Sequence, residues 1–173
     1  FELSNCCPYA PFHKKCPLHE QRNKPVTLSS RIVESALSEA RHLGFEGTIE
    51  FHTYNEPLCD PRLGLFIKQA AEYGFPTRLW TNGFGLSLQM ARELSWLGVT
   101  EFMISAYSQE EYDRLIMLRG QTNAAVEVVM RGLDDRLNCY TWPATQKPRP
   151  CPRNAPLDEL IINCEGQIEL CCL

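Results

Sequence analysis

Residues 76–106, PTRLWTNGFGLSLQMARELSWLGVTEFMISA, decide the fold. The opening PTRLWT is β-prone and stops at Asn82-Gly83, a pair that turns readily. Leu86–Leu97 then carries apolar residues at helical spacing and is closed by Gly98. Thr100–Ala106 is again β-branched and aromatic, a second strand of the same kind. A strand, a helix and a strand in close succession predict parallel pairing through a right-handed crossover, because parallel strands cannot be joined by a hairpin.

The same alternation extends in both directions. Upstream, Leu28–Leu43 places Ile32, Val33, Ala36, Leu37 and Ala40 on one helical face, with Ser29 or Ser30 as cap and Gly44 as stop. Thr48–Thr53, TIEFHT, reads as a strand, and Arg62–Tyr73 as a helix ended by Gly74. A short apolar strand is expected at the very start, from Phe1, running into a loop. Downstream, Gln109–Leu118 reads as a helix, Ala124–Leu133 as a further helical segment, and Leu137–Trp142 as a short fifth strand. The expected class is α/β, either an open doubly wound sheet or a partial barrel of parallel strands. Both architectures gather ligands where strands end, and the polar residues at those ends are Cys7, Glu56, Asn82 and Ser105 to Tyr107.

Composition supports a globular reading. The chain has 173 residues, 44% of them hydrophobic, enough for one core with at most a small appendage. A net charge of -4 with both signs interspersed argues against a broad nucleic-acid-binding face. No apolar run approaches a membrane span and no basic-then-apolar leader opens the sequence, so a soluble cytoplasmic protein is expected. The lack of an initial Met and the ending Cys171-Cys172-Leu173 suggest that the natural polypeptide continues.

Nine cysteines fall mostly into two terminal groups, Cys6, Cys7 and Cys16, then Cys151, Cys164, Cys171 and Cys172. A disulfide framework staples small cores, and the periodic middle of this chain needs no staple. Metal sites are the alternative. Cys6, Cys7, Cys16 and His19 stand within one loop, and soft thiolates with an imidazole suit iron–sulfur clusters or zinc.

Three strand ends in order, Ser4-Asn5-Cys6-Cys7, Tyr54-Asn55-Glu56-Pro57-Leu58 and Thr81-Asn82-Gly83, resemble those of the radical S-adenosylmethionine enzymes, over residues 1 to about 119. The resemblance implies a 4Fe-4S cluster held by Cys7 and Cys16, with His19 standing where a third cysteine is usual. It further implies that Glu56 binds the amino group of S-adenosylmethionine, that Asn82 and Ser105 belong to the cofactor site, and that Arg119 pairs with the methionine carboxylate. The reaction implied is reductive cleavage of the cofactor to a 5′-deoxyadenosyl radical that takes hydrogen from a peptide or small molecule. An electron donor such as flavodoxin or ferredoxin would supply the reducing equivalent.

The departures are specific. Eight residues, PYAPFHKK, separate Cys7 from Cys16 where three are usual, and Tyr54-Asn55 replaces two glycines. Leu18 replaces an aromatic residue, and Cys6 competes with His19 as third ligand, although adjacent residues in a strand face opposite ways. Toward the end, LDELIIN and QIELCCL about Glu165-Gly166 read as a hairpin. Cys151, Gly166 and Cys171 in their spacing resemble the opening of a SPASM or twitch module, which implies an auxiliary iron–sulfur cluster on Cys151 and Cys171. Residues 1–142 would then be the partial barrel, and 143–173 a linker and the start of that module. Other readings remain beside these: Glu56 as a helix cap before Pro57, Arg119 as a solvated helix end, and Cys164 as a small buried apolar residue. For the whole chain the alternatives are a zinc-binding domain without catalysis and a degenerate peptide-binding barrel.

Overall fold

The computed structural model describes residues 1–13, 16, 24–132 and 160–169. Four parallel strands form the central sheet: β1 Ile49–Glu50, β2 Thr77–Thr81, β3 Val99–Ala106 and β4 Ala125–Met130, paired in the order of the sequence. A doubly wound sheet reverses its strand order at a switch point, whereas among the described strands the order never reverses. Winding in one direction is the signature of a barrel, and the α/β fold is part of one.

The helices are α1 Ser30–His42, α2 Leu63–Glu72, α3 Leu88–Leu97 and α4 Gln109–Ile116. Each starts or stops on the expected local chemistry. Ser87 accepts the Met90 N–H at 3.1 Å, Ser108 accepts the Glu111 N–H at 3.1 Å, and Gly44, Gly74 and Gly98 follow three of the C-termini with positive φ. The apolar stripes of these helices cover one face of the sheet. Val33, Leu37, Phe66, Ile67, Ala91 and Leu115 pack there with Leu79, Phe102, Ile104 and Val128 of the strands, all buried. Period-2 alternation sends Arg78, Trp80, Glu101, Met103 and Ser105 to the other face, where each is only half-buried. An Arg78 guanidinium bridges Glu50 at 3.1 Å and Glu101 at 2.5 Å on that inner face.

Two expected elements differ. Ala124–Leu133 contains β4 instead of a helix: six residues from Ala125 to Met130 pair with Glu101 to Ala106. The β-branched Val126, Val128 and Val129 suit an extended ladder, and the free edge of β3 provides it. The start of the chain is no strand of the sheet. It makes one antiparallel bridge, Ser4 to Thr27, stacks Phe1 on Phe51 at 5.9 Å, and donates the Glu2 N–H to the Ile162 carbonyl at 2.8 Å.

That last bond ties in a small hairpin, β5 Ile161–Ile162 with β6 Ile168–Glu169, antiparallel about the expected Glu165-Gly166 turn. Gly166 has φ +82, and a Cβ there would stand 2.6 Å from the Ile32 methyl, so the turn sits directly on α1. Leu137–Trp142, and the expected division after residue 142, lie outside the described residues. Among those described, no helix is long and apolar enough to cross a membrane.

Candidate functional site

Glu56 is the centre of the site. The chain leaves β1 through a turn in which Asn55 Oδ1 accepts the Thr53 N–H at 3.1 Å, and Pro57 starts a 3-10 turn, Pro57–Cys59. Glu56 caps that turn, Oε1 accepting the Leu58 N–H at 3.1 Å. Its carboxylate does more than cap. Oε1 also accepts the Thr81 hydroxyl at 2.5 Å and Oε2 the Asn82 N–H at 2.7 Å, both from the end of β2. The Glu56 N–H in turn donates to the Cys6 carbonyl at 2.8 Å. With 2% of its surface exposed, this carboxylate is held by charge-assisted hydrogen bonds from two strand ends.

Asn82-Gly83 follows as a locked turn. Asn82 Oδ1 accepts the Phe84 N–H at 2.9 Å, and Thr81 Oγ1 accepts the Gly83 N–H at 3.0 Å. Gly83 has φ +70, and a Cβ there would meet both Leu115 methyls at 2.9 Å, so the turn requires glycine. Arg114 of α4 clamps it from outside, donating to the Gly83 and Leu86 carbonyls at 3.0 and 2.7 Å. The result aims Asn82 Nδ2 at the Cys7 sulfur, 3.6 Å away.

The eight residues between Cys7 and Cys16 do not separate them. Turn bonds run from the Ala10 N–H to the Cys7 carbonyl at 3.2 Å, from the Phe12 and His13 N–H groups to the Tyr9 carbonyl, and from the Cys16 N–H to the His13 carbonyl at 2.9 Å. Cys7, Ala10, Cys16 and Tyr54 form one small cluster. Aromatic packing fixes the coil to the sheet. Tyr9 lies 5.0 Å from Tyr107 and 6.2 Å from Phe84, and His13 lies 5.0 Å from Tyr107. The Tyr9 hydroxyl donates to one oxygen of Glu111, whose other oxygen accepts the Tyr107 N–H at 2.9 Å. Burial, together with that bond, pushes the Tyr9 hydroxyl above its ordinary range.

Cys7 and Cys16 thus supply two soft donors in one loop, the chemistry an iron–sulfur cluster takes. Among the described residues, no group of three or more His, Cys, Asp or Glu converges as a metal site, and His19 lies outside those residues. The Cys6 thiol lies in hydrogen-bond contact with Cys59. Burial and the hydrogen bond to the Cys6 thiol push Cys59 up to about 12. Cys151 and Cys171 lie outside the described residues.

A cavity of about 310 Å³ opens beside Glu56 and Asn82, and Ser105 lines it as well. So do three residues that the sequence reading passed over: His52, Trp80 and Arg131. His52 and Trp80 had no motif around them; only the alternation of their strands could have marked them as inward-facing. Arg131 was hidden by the helical reading of Ala124–Leu133, and its N–H in fact donates to the Ala106 carbonyl at 2.8 Å, at the end of β4. Arg119 is exposed, gives its Nε to the Val126 carbonyl at 3.1 Å, and does not line the cavity. A larger hollow of about 650 Å³, lined by Arg92, Glu93 and Trp96, lies where α3 ends and β4 begins, at the opposite end of the sheet. Its arginine is occupied by Gln121, at 2.9 and 3.0 Å, and it lacks convergent polar groups of the kind around Glu56.

No family model matches the chain. Over 96 residues, 54% of the chain, it is 28% identical to the S-adenosyl-L-methionine-dependent 2-deoxy-scyllo-inosamine dehydrogenase of Niallia circulans, spanning 38% of that protein. It superposes on BtrN in complex with AdoMet and 2-DOIA with a TM-score of 0.64 and 23% identity, over 75% of this chain and 54% of that one. A BtrN structure in an open conformation gives a TM-score of 0.49 at 23% identity, over 60% of this chain and 44% of that one. The chain therefore spans only about 38% to 54% of the lengths of the dehydrogenase and the AdoMet-bound BtrN. These comparisons correct the recognition made from sequence: they lead to a dehydrogenase, and the resemblance to an enzyme closed by a SPASM or twitch module, with the peptide-maturase activity attached to it, is withdrawn. What the superposition on AdoMet-bound BtrN does establish is the α/β partial-barrel fold.

Proposed function

We propose that the chain carries the cofactor site of a radical S-adenosylmethionine oxidoreductase that oxidises a small alcohol. The observation that carries this reading is the Glu56 network, in which one buried carboxylate joins the ends of β1 and β2 and, through Asn82, reaches the Cys7 thiol. A structural zinc site has no use for that arrangement. Cys7 and Cys16, with His19 as third ligand, would hold a 4Fe-4S cluster. Glu56 is the partner for the methionine ammonium, since a carboxylate is what an ammonium pairs with. Arg131, on the cavity wall, is the cation available to the methionine carboxylate, in place of Arg119. Ser105 faces the ribose or methionine portion.

When bound, the reduced cluster and S-adenosylmethionine supply a 5′-deoxyadenosyl radical that removes a carbon-bound hydrogen atom, chemistry that belongs to the cofactor. The chain's part is to orient and to exclude water. Tyr9, packed on Tyr107 and Phe84 and bonded to Glu111, seals the cluster loop against the sheet. The cavity of about 310 Å³ carries the residues assigned to the cofactor, and the half-buried inner face beside it is left for a compact polar substrate. The likeness to an inosamine dehydrogenase supports an alcohol as that substrate. A flavodoxin or ferredoxin is the proposed electron donor.

Anaerobic reconstitution with iron and sulfide tests the reading. Four irons per chain and release of 5′-deoxyadenosine on reduction with S-adenosylmethionine are expected. Colourless protein carrying stoichiometric zinc would overturn it, as would a brown protein that never cleaves the cofactor.

A further inference from the structure

Oxidising an alcohol to a carbonyl removes a second hydrogen as well, the one on oxygen. Once the carbon-bound hydrogen atom has gone, the O–H becomes far more acidic, and a neutral imidazole suffices to take the proton. We propose, resting on the function above, that His52 is that proton acceptor.

The strand TIEFHT puts Ile49 and Phe51 in the core and therefore Glu50 and His52 on the inner face. The His52 ring stacks on Trp80 with centroids 5.3 Å apart and planes 25° from parallel, which fixes its tilt. Its Nδ1 side is buried and faces Glu50 Oε2 at 3.8 Å, while the ring lines the cavity with 30% of its side chain exposed. Glu50 is itself oriented, by Arg78 at 3.1 Å, and Arg78 is held in turn by Glu101. A carboxylate behind an imidazole favours the charged form that proton uptake creates, the base-and-orienter arrangement of general base catalysis.

The other polar groups on the cavity wall are worse suited. Arg131 offers only N–H donors and no acceptor. Glu56 is engaged by Thr81, Asn82 and Leu58, and Ser105 and Tyr107 offer hydroxyls, weaker proton acceptors than an imidazole. The charged and titratable groups near His52 include Glu50 two residues before it, the Phe1 ammonium that donates to the Glu50 carbonyl at 2.6 Å and is lowered by burial to about 6, Arg78 on β2, Glu101 on β3, Glu127 opposite Met103 on β4, and Glu56, Tyr107 and Arg131 on the cavity wall. The step balances as follows. The carbon-bound hydrogen atom leaves with one electron. The O–H bond then breaks heterolytically, its proton going to His52 and its electron pair staying on oxygen. The remaining unpaired electron passes from carbon to a one-electron acceptor of the iron–sulfur class as the C=O bond forms.

The test uses the anaerobically reconstituted chain with S-adenosylmethionine, reduced flavodoxin and 2-deoxy-scyllo-inosamine as probe, measuring 5′-deoxyadenosine and ketone together. In His52→Gln the ketone formed per 5′-deoxyadenosine released should fall about 100-fold and lose its rise between about pH 6 and 7.5. Independently of turnover, NMR titration of the His52 imidazole should move to lower pH in Glu50→Gln. An unchanged ketone ratio in His52→Gln, or an imidazole titration indifferent to Glu50→Gln, would overturn the assignment alone. A wild-type chain that releases no deoxyadenosine would overturn the underlying function and this step with it.

Discussion

Phe102 and Met103 are neighbours on β3 and live in different surroundings. Phe102 is fully buried beneath the helices, with Leu79 and Ile104 on the same face. Met103 is half-buried on the inner face, in register with Trp80 on one side and Glu127 on the other. One face of the sheet therefore holds the fold and the other presents chemistry. The separation predicts unequal costs for the same truncation. Phe102→Ala should lose about 3–5 kcal/mol in urea unfolding, transfer and cavity terms together. Met103→Ala should lose about 1 kcal/mol or less. Equal losses would mean that the inner face is packed as tightly as the outer one and has no room for substrate.

Where the two faces meet, at the strand ends, Glu56 ties the fold and in the proposed function also binds the cofactor, so a substitution there should register in both stability and binding. Glu56→Gln keeps the shape but sets an NH₂ group against the Thr81 hydroxyl or the Asn82 N–H, donor against donor. The expected loss is about 1–3 kcal/mol of stability. Calorimetric affinity for S-adenosylmethionine should fall at least about tenfold, equivalent to 1.4 kcal/mol. Loss of stability with affinity intact would leave Glu56 as a cap and a strap only.

The arginines sharpen the comparison further. Arg131 lines the cavity and Arg119 does not, so Arg131→Gln should weaken S-adenosylmethionine binding by about tenfold, the scale of one charged hydrogen bond. Arg119→Gln should leave binding unchanged. The reverse pattern would restore the assignment drawn from sequence position alone.

How much of this was legible follows from where each feature's cause lies. The outer face was legible because its causes are local: helical spacing in Leu28–Leu43 and Arg62–Tyr73, glycine stops at Gly44, Gly74 and Gly98, and β-branched runs between them. Glu56 and Asn82 were legible as strand-end residues for the same reason. Ala124–Leu133 misled because Ala, Glu, Met and Leu there are good helix formers, and only the open edge of β3 turns the segment into a strand. Misreading that element hid Arg131. The coil between Cys7 and Cys16 could not be read at all, since Tyr9 is placed by Phe84, Tyr107 and Glu111, residues far away in the chain. The hairpin turn was visible in Glu165-Gly166, but its seat on Ile32 was not.

The smallest effect expected distinguishes two ion pairs, one on each side of the rim. The inner-face Arg78 shares its charge between Glu50 and Glu101 with all three side chains roughly a third exposed, so water and salt screen it. Asp60 is different: its side chain is 1% exposed, and Arg62, which also donates to the Leu28 carbonyl at 2.9 Å, grips both of its oxygens. Burial alone would raise the Asp60 carboxyl, but the bonds from the Arg62 side chain and N–H outweigh it and hold the group below its ordinary value. A group whose pKa is lowered by folding stabilises the native state above its unfolded pKa and ceases to as the pH falls through the folded one. Stability attributable to Asp60 is therefore complete near neutrality and lost on the acid side of the usual carboxylate range. Asp60→Asn should cost about 1 kcal/mol at pH 7 and flatten that acid limb, whereas Glu101→Gln should leave the limb in place and change stability by a few tenths, less still in high salt. An acid limb that survives in Asp60→Asn would assign it to other carboxylates and leave the pair with Arg62 as a geometric tie between the rim and α1.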